Sequence, residues 1–229
     1  MPIRSEQVIL ALDLDSPTEA LRWADRLGPR IGCYKVGLQL FSRGGPELVR
    51  ELRSHGVDVF LDLKLHDIPN TVAKAVEALL PLDLKFLTIH TLGGTSMIQA
   101  ALRAATPAPQ TTLLGVTVLT SLGDDEVSQL GFDHTASGQA VHLARLGVAA
   151  GLKGLVCSPL EVAILRGQLD PDIRLVTPGV RTTGSDIGDQ ARIATPRQAI
   201  NNGATHLVIG RPILAASDPE AALAAILAE

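Results

Sequence analysis

The sequence predicts a single-domain α/β protein, a (β/α)8 TIM barrel that takes in residues 1–229. Three observations predict it. From Val8 onward, short β-branched or leucine-rich runs alternate with longer amphipathic ones, the pattern of repeated strand-helix units. Eight such units fit into 229 residues, which is the number that closes a barrel, whereas a doubly wound sheet generally uses fewer strands. The first strand is not followed by G-x-G-x-x-G, so the glycine-rich turn of a dinucleotide fold is missing.

Strands are expected at residues 8–13, 33–38, 57–65, 86–90, 112–119, 154–157, 174–177 and 206–209. Each is short, apolar and rich in Val, Ile or Leu, as strands covered on both faces should be. Helices are expected at 17–27, 45–55, 71–80, 95–104, 137–149, 159–166, 196–202 and 219–227. Several open on a capping residue followed by proline, as at Ser16-Pro17, Ser158-Pro159, Thr195-Pro196 and Asp218-Pro219, because a proline at the first helical position gives up no hydrogen bond. The longest connection, TSLGDDEVSQLGFD at 120–133, exceeds the usual length and is a candidate mobile segment beside a site. Its acidic trio Asp124, Asp125 and Glu126 reads as solvated charge near a helix start. Composition is uniform along the chain, with no linker between two domains.

An apolar fraction of 46% is enough for a large core, and a formal charge of −4 carries no basic excess, which argues against a nucleic-acid partner. Cys33 and Cys157 stand far apart in apolar runs and read as two buried thiols in a reducing compartment. The apolar run 8–12 is too short for a membrane span or a signal core and is closed by Asp13 and Asp15, so a cytoplasmic protein is expected.

The stretch VFLDLKLHDIPNT, residues 59–71, carries the densest chemistry. Side chains alternate along a strand, which sets Phe60, Asp62 and Lys64 on one face and Val59, Leu61, Leu63 and Leu65 on the other. Asp67 follows the strand, before Ile68-Pro69. Charges in a strand need partners, so a structural ion pair between Asp62 and Lys64 is one reading and a working site is the other. The other strands favour the second: Asp13 closes the first, Lys35 lies inside the second, His90 ends the fourth and Thr120 follows the fifth. In a barrel of this kind the strand exits form the catalytic face. His66 shares the polar parity but reads as a structural hydrogen-bonding residue. After the last two strands, TPGVRTTGSDIGDQ and IGRPI each bring a glycine before an arginine, Arg181 and Arg211, where barrels often hold phosphate, and Gly210 offers a backbone amide. No spacing of His, Asp or Glu suggests a metal site.

The motif DLKLHDIPNT at 62–71 closely resembles the signature of the orotidine 5'-phosphate decarboxylase family. The resemblance extends along the chain through ALD at Asp13, YKVG at Lys35, VTVLTS at Thr120, TPGVR at Arg181, DQ at Gln190 and IGRPI at Gly210 and Arg211. Leu65 stands where the family commonly has phenylalanine. The resemblance implies decarboxylation of orotidine 5'-monophosphate to UMP, the last step of de novo pyrimidine synthesis, with no cofactor and no metal. It implies Lys64 as proton donor to C6, Asp62 and Asp67 near the departing carboxylate, and Lys35 and Asp13 on the ribose hydroxyls. It also implies a homodimer in which Asp67 and Thr71 reach the partner's site. Thr120 or Ser121 is then expected on the base, and Gln190, Arg181, Gly210 and Arg211 around the phosphate. The remaining motif residues Leu63, Leu65, His66, Ile68, Pro69 and Asn70, together with Pro178, complete the implied substrate site. Two alternatives remain: a Mg²⁺-dependent 3-keto-sugar-phosphate decarboxylase or synthase of the same superfamily, which needs an acidic residue where Lys35 stands, and a non-catalytic nucleotide-binding barrel.

Overall fold

Eight parallel strands pair in chain order and the last returns to the first, closing the barrel in a computed structural model that describes residues 2–180 and 194–229. The strands are β1 (Val8–Ala11), β2 (Cys33–Gly37), β3 (Val59–Leu65), β4 (Phe86–His90), β5 (Thr112–Val116), β6 (Gly154–Val156), β7 (Arg174–Thr177) and β8 (His206–Ile209). Helices α1 (Pro17–Leu27), α2 (Leu38–Ser54), α3 (Pro69–Leu79), α4 (Gly94–Ala105), α5 (Asp124–Gln129), α6 (Ala136–Ala149), α7 (Val162–Arg166), α8 (Pro196–Asn201), α9 (Arg211–Leu214) and α10 (Pro219–Ala228) lie between or after them. None of the described helices is long and apolar enough to cross a membrane.

Alternation along each strand builds two apolar layers. Outward residues such as Leu10, Val36, Leu61, Leu87 and Leu175 pack against the helices in one continuous core. Inward residues Ile9, Cys33, Phe60, Phe86, Leu114, Val176 and Val208 fill the lower barrel, where Phe60 meets Phe86 edge-on with ring centroids 5.8 Å apart. Both cysteines are free and buried. The same inward parity carries upward from Cys33 to Lys35 and from Phe60 to Asp62, so the strand period that fills the floor also delivers charges to the strand exits.

Several expectations are corrected. Lys64 keeps the inward face expected of it beside Asp62, but the regular strand expected there is broken: the pairing of β3 with β4 runs from Leu61 opposite Leu87 to Leu65 opposite Ile89, and Lys64 adopts φ +51°, a bulge that takes up two extra residues of β3. Helix α2 starts at Leu38 rather than at residue 45, and the backbone breaks inside it at Gly45 (φ 56°, ψ −158°), where a side chain would be strained. Helix α3 begins at Pro69, two residues before the expected start. Strands β1 and β5 end at Ala11 and Val116, which leaves Asp13 and Thr120 on loops beyond them. The long segment after β5 contains helix α5, with Val127 buried against Val118, Ala136, Ala140 and Leu143. Its three acids are all exposed in the first turn of α5, as expected, and two of them also accept backbone N–H groups: Glu126 that of Gly123 at 2.9 Å and Asp124 that of Ala136 at 2.7 Å.

Candidate active site

A cavity of about 600 Å³ opens at the strand exits, large enough for a nucleotide. Its floor is Phe60, its walls include Val116, Val156 and Val208, and its rim carries Asp13, Lys35, Asp62, Lys64, Thr120, Pro178, Gly210 and Arg211. Seven strands or their exits contribute, so the side chains converge only because the sheet closes.

One side of the cavity is an alternating charge chain. The Lys35 ammonium, on a residue only 8% exposed, lies 3.0 Å from Asp13 Oδ1 and 3.8 Å from Asp62 Oδ2. Lys64 Nζ is held 2.9 Å from both oxygens of Asp62, whose side chain is 13% exposed, whereas that of Lys64 is 32% exposed and reaches into open space. Burying any one of these charges alone would cost several kcal/mol, so the alternation of sign is what lets them be there. A Cβ on Gly37 would come within 3.1 Å of Lys35 Nζ, so the missing side chain at 37 keeps the space over the ammonium clear.

Thr88 belongs to this cluster and the motif reading missed it. Its hydroxyl, fully buried, donates to Asp62 Oδ1 at 3.0 Å and accepts the Lys64 backbone N–H at 2.8 Å. The signal that would have found it is parity, because Phe86, Thr88 and His90 face inward together. The apolar wall residues Val156 and Val208 follow from the same rule. His90 is partly buried, accepts the Leu92 N–H on Nδ1 at 3.3 Å and stacks on His66 with ring centroids 5.4 Å apart. Burial, then His66 and Lys64, holds its imidazole down to about 4, so it is neutral at physiological pH. The contact found for His66 among the described residues is that ring stack.

The opposite wall is different in kind. The closed strand order puts β7 across the barrel from β3, and the β7 and β8 exits bring Pro178, Gly179, Gly210 and Arg211 to the rim. Arg211 opens the short helix α9, with Gly210 at its N-terminal flank. Arg181 and Gln190 lie outside the described residues.

The rest of the motif turns away from this cavity. Leu63 and Leu65 pack on the outer core, consistent with an outward face that tolerates a change of apolar residue at 65. Asp67, Ile68, Pro69, Asn70, Thr71 and Ser121 are exposed, and Asp67 accepts the N–H of Ile68 at 2.7 Å. Among the described residues no cluster of three His, Cys, Asp or Glu is arranged to hold a metal ion.

A family model described as "Orotidine 5'-phosphate decarboxylase / HUMPS family" matches residues 6–226. The chain belongs to that family. It is 50% identical over 223 residues to the orotidine 5'-phosphate decarboxylase of Opitutus terrae, with 97% of each chain covered. It is 49% identical to that of Sodalis glossinidius, covering 97% of this chain and 89% of the relative. Among solved structures, the orotidine 5'-phosphate decarboxylase of Lactobacillus acidophilus aligns with a TM-score of 0.84 at 40% identity, covering 96% of each chain. The family match takes in every residue of the charge chain and of the opposite wall.

Proposed function

We propose that this chain decarboxylates orotidine 5'-monophosphate to UMP and carbon dioxide, the last step of de novo pyrimidine synthesis, as a cytoplasmic homodimer of one-domain barrels. The observation that carries the reading is Lys64 Nζ, 2.9 Å from both oxygens of Asp62 at the edge of a nucleotide-sized cavity and backed by Lys35 and Asp13. When the bond from C6 to the carboxylate breaks, its electron pair stays on C6, in an orbital the ring delocalises poorly. A cation already fixed beside C6 stabilises that pair without having to reorganise, and Lys64 then passes a proton to it. Asp62 holds the lysine in place and stands close to the departing carboxylate. Lys35 and Asp13 take the ribose hydroxyls, and Thr120 or Ser121 the base.

The phosphate goes to the far wall, on Gly210, Arg211, Arg181 and Gln190, so that binding energy gathered far from C6 serves the chemical step. Asp67 and Thr71 are assigned to the partner's site. Their exposure in the single chain fits that role, as does that of Ile68 at 67%, an apolar surface that a partner would cover. The Mg²⁺-dependent sugar-phosphate alternative is disfavoured because Lys35 sets an ammonium where such an enzyme needs an acidic ligand. The test is a spectrophotometric assay of orotidine 5'-monophosphate loss with and without a chelator. Turnover that ignores the chelator supports the reading; turnover that the chelator abolishes replaces it with the metal-dependent one.

A further inference from the structure

We propose that Thr88 is the positioning residue that sets the catalytic lysine, one hydroxyl fixing both the backbone and the ammonium of Lys64. The inference rests on the decarboxylase reading above. Between Leu61 and Leu65, β3 spans four residue steps while β4, from Leu87 to Ile89, spans two, so the Lys64 N–H has left the regular ladder. It donates instead to Thr88 Oγ1 at 2.8 Å. The same hydroxyl lies 3.0 Å from Asp62 Oδ1. A backbone N–H only donates and an ionised carboxylate only accepts, so the hydroxyl hydrogen has one place to go, toward Asp62.

The contacts close a ring: from the Lys64 backbone to the threonine, from the threonine to the aspartate, and from the aspartate back to the Lys64 ammonium at 2.9 Å. Lys64 is thereby held at both ends of its own residue. The left-handed backbone, at φ +51°, is costly for a long side chain and needs a partner that enforces it. Threonine suits the task because its branched Cβ restricts χ1. Thr88 is fully buried and does not line the cavity at the strand exits, so it acts through Asp62 and Lys64 rather than on substrate.

The test compares Thr88→Val, which keeps shape and branching but loses the hydroxyl, with Thr88→Ser, which keeps the hydroxyl. Thr88→Val is expected to lower single-turnover kcat on orotidine 5'-monophosphate by about 10²-fold, the scale of a misplacement of about 1 Å, while KM moves less than about threefold because the far wall is untouched. Thr88→Ser should recover all but about tenfold of the loss. The second readout is exchange of the C6 hydrogen of UMP with D2O, followed by NMR. Exchange depends on where the Lys64 ammonium sits and not on loss of carbon dioxide, and it should fall in parallel with kcat. Should Thr88→Val not fold, Thr88→Cys against Thr88→Ser, matched in size and differing in the strength of the donor, makes the same comparison. A folded variant without the hydroxyl that keeps kcat and exchange within about threefold of the parent overturns the assignment, and so do equal losses in Val and Ser. A parent inactive on orotidine 5'-monophosphate overturns the functional reading as well, so the two failures are told apart by the parent alone.

Discussion

Two charge networks sit at opposite ends of the same barrel, and both set cations against aspartates. At the strand entrances Lys85 Nζ lies 2.9 Å from Asp58 Oδ2 and donates to the Gly32 carbonyl at 2.9 Å. Arg53 donates to Asp58 at 2.8 Å and to the Val57 carbonyl at 2.9 Å, and it also grips Asp83, which accepts from Gln110 at 3.2 Å. Hydrogen bonds from Arg53 and Gln110 hold the Asp83 carboxyl below its usual range. At the strand exits the alternation of Lys and Asp is just as regular, but Lys64 points into a cavity. Alternating charge alone therefore does not mark a site. The lower network spends its donors on its own backbone and ties α2 to the entrances of β3 and β4. The upper one keeps a cation facing open space where a ligand can complete it.

The sharpest way to break the comparison is to remove one charge from each network. Lys64→Ala should lose more than about 10⁴ in kcat, because a general acid and the electrostatic stabilisation go together. UMP affinity should change far less, and the melting temperature by less than about 5 °C. Activity within tenfold of the parent would end the assignment. Next in size is Arg211→Ala on the far wall. Losing the guanidinium should cost about 2–5 kcal/mol in kcat/KM with orotidine 5'-monophosphate, and most of that loss should vanish with orotidine, which lacks the phosphate. Equal losses on the two substrates would move the phosphate site elsewhere.

How much of this was legible in the sequence follows from which forces are local. The eight strands were readable because period-two alternation and β-branching are properties of a few adjacent residues, and parity alone put Lys35 and Asp62 inside the barrel. Parity also put Lys64 on that face, but it did not show the bulge that carries the residue there. No glycine or asparagine announces a left-handed residue there, and the bulge exists only in the register of β3 against β4. For Thr88 parity could give the inward face but not the role, which appears only when a neighbouring strand brings Asp62 to within 3.0 Å of its hydroxyl. The three acids at the start of α5 read as solvated and are exposed, but the contacts of Glu126 to Gly123 and of Asp124 to Ala136 depend on how the chain folds back on itself. Whether Asp67 and Thr71 complete a second site depends on another chain, which no pattern within one chain can fix.

The lower network should answer the opposite way from the upper. Asp58→Ala leaves the Lys85 ammonium with only a carbonyl and takes one partner from Arg53, and because Asp58 is about half exposed the cost should be modest. We expect a loss of about 1–2 kcal/mol in urea unfolding, with kcat within about twofold of the parent. A large fall in kcat without loss of stability would mean that the two ends are coupled.

The smallest effect concerns one histidine at each end. His90 sits at the exit of β4, and His206 at the entrance of β8 with its ring edge-on to Phe86. Both are held down to about 4: His90 by burial, then His66 and Lys64, and His206 by burial, then the cations Lys85, Arg174 and Arg4. In the unfolded chain each should titrate near about 6.5. Between those values the unfolded state binds more protons than the folded one, so stability is fully present above the unfolded value and is lost as the pH falls toward 4. With both rings partly exposed, each should contribute on the order of 1 kcal/mol of destabilisation between pH 7 and pH 5. Urea midpoints should be compared over that window, above the range where carboxylates such as Asp83 take up protons. His206→Gln and His90→Gln should each flatten the dependence by about half, and the double variant should nearly abolish it. A slope unchanged in both would show that the acid sensitivity of this barrel resides in its carboxylates and not in the two half-buried rings.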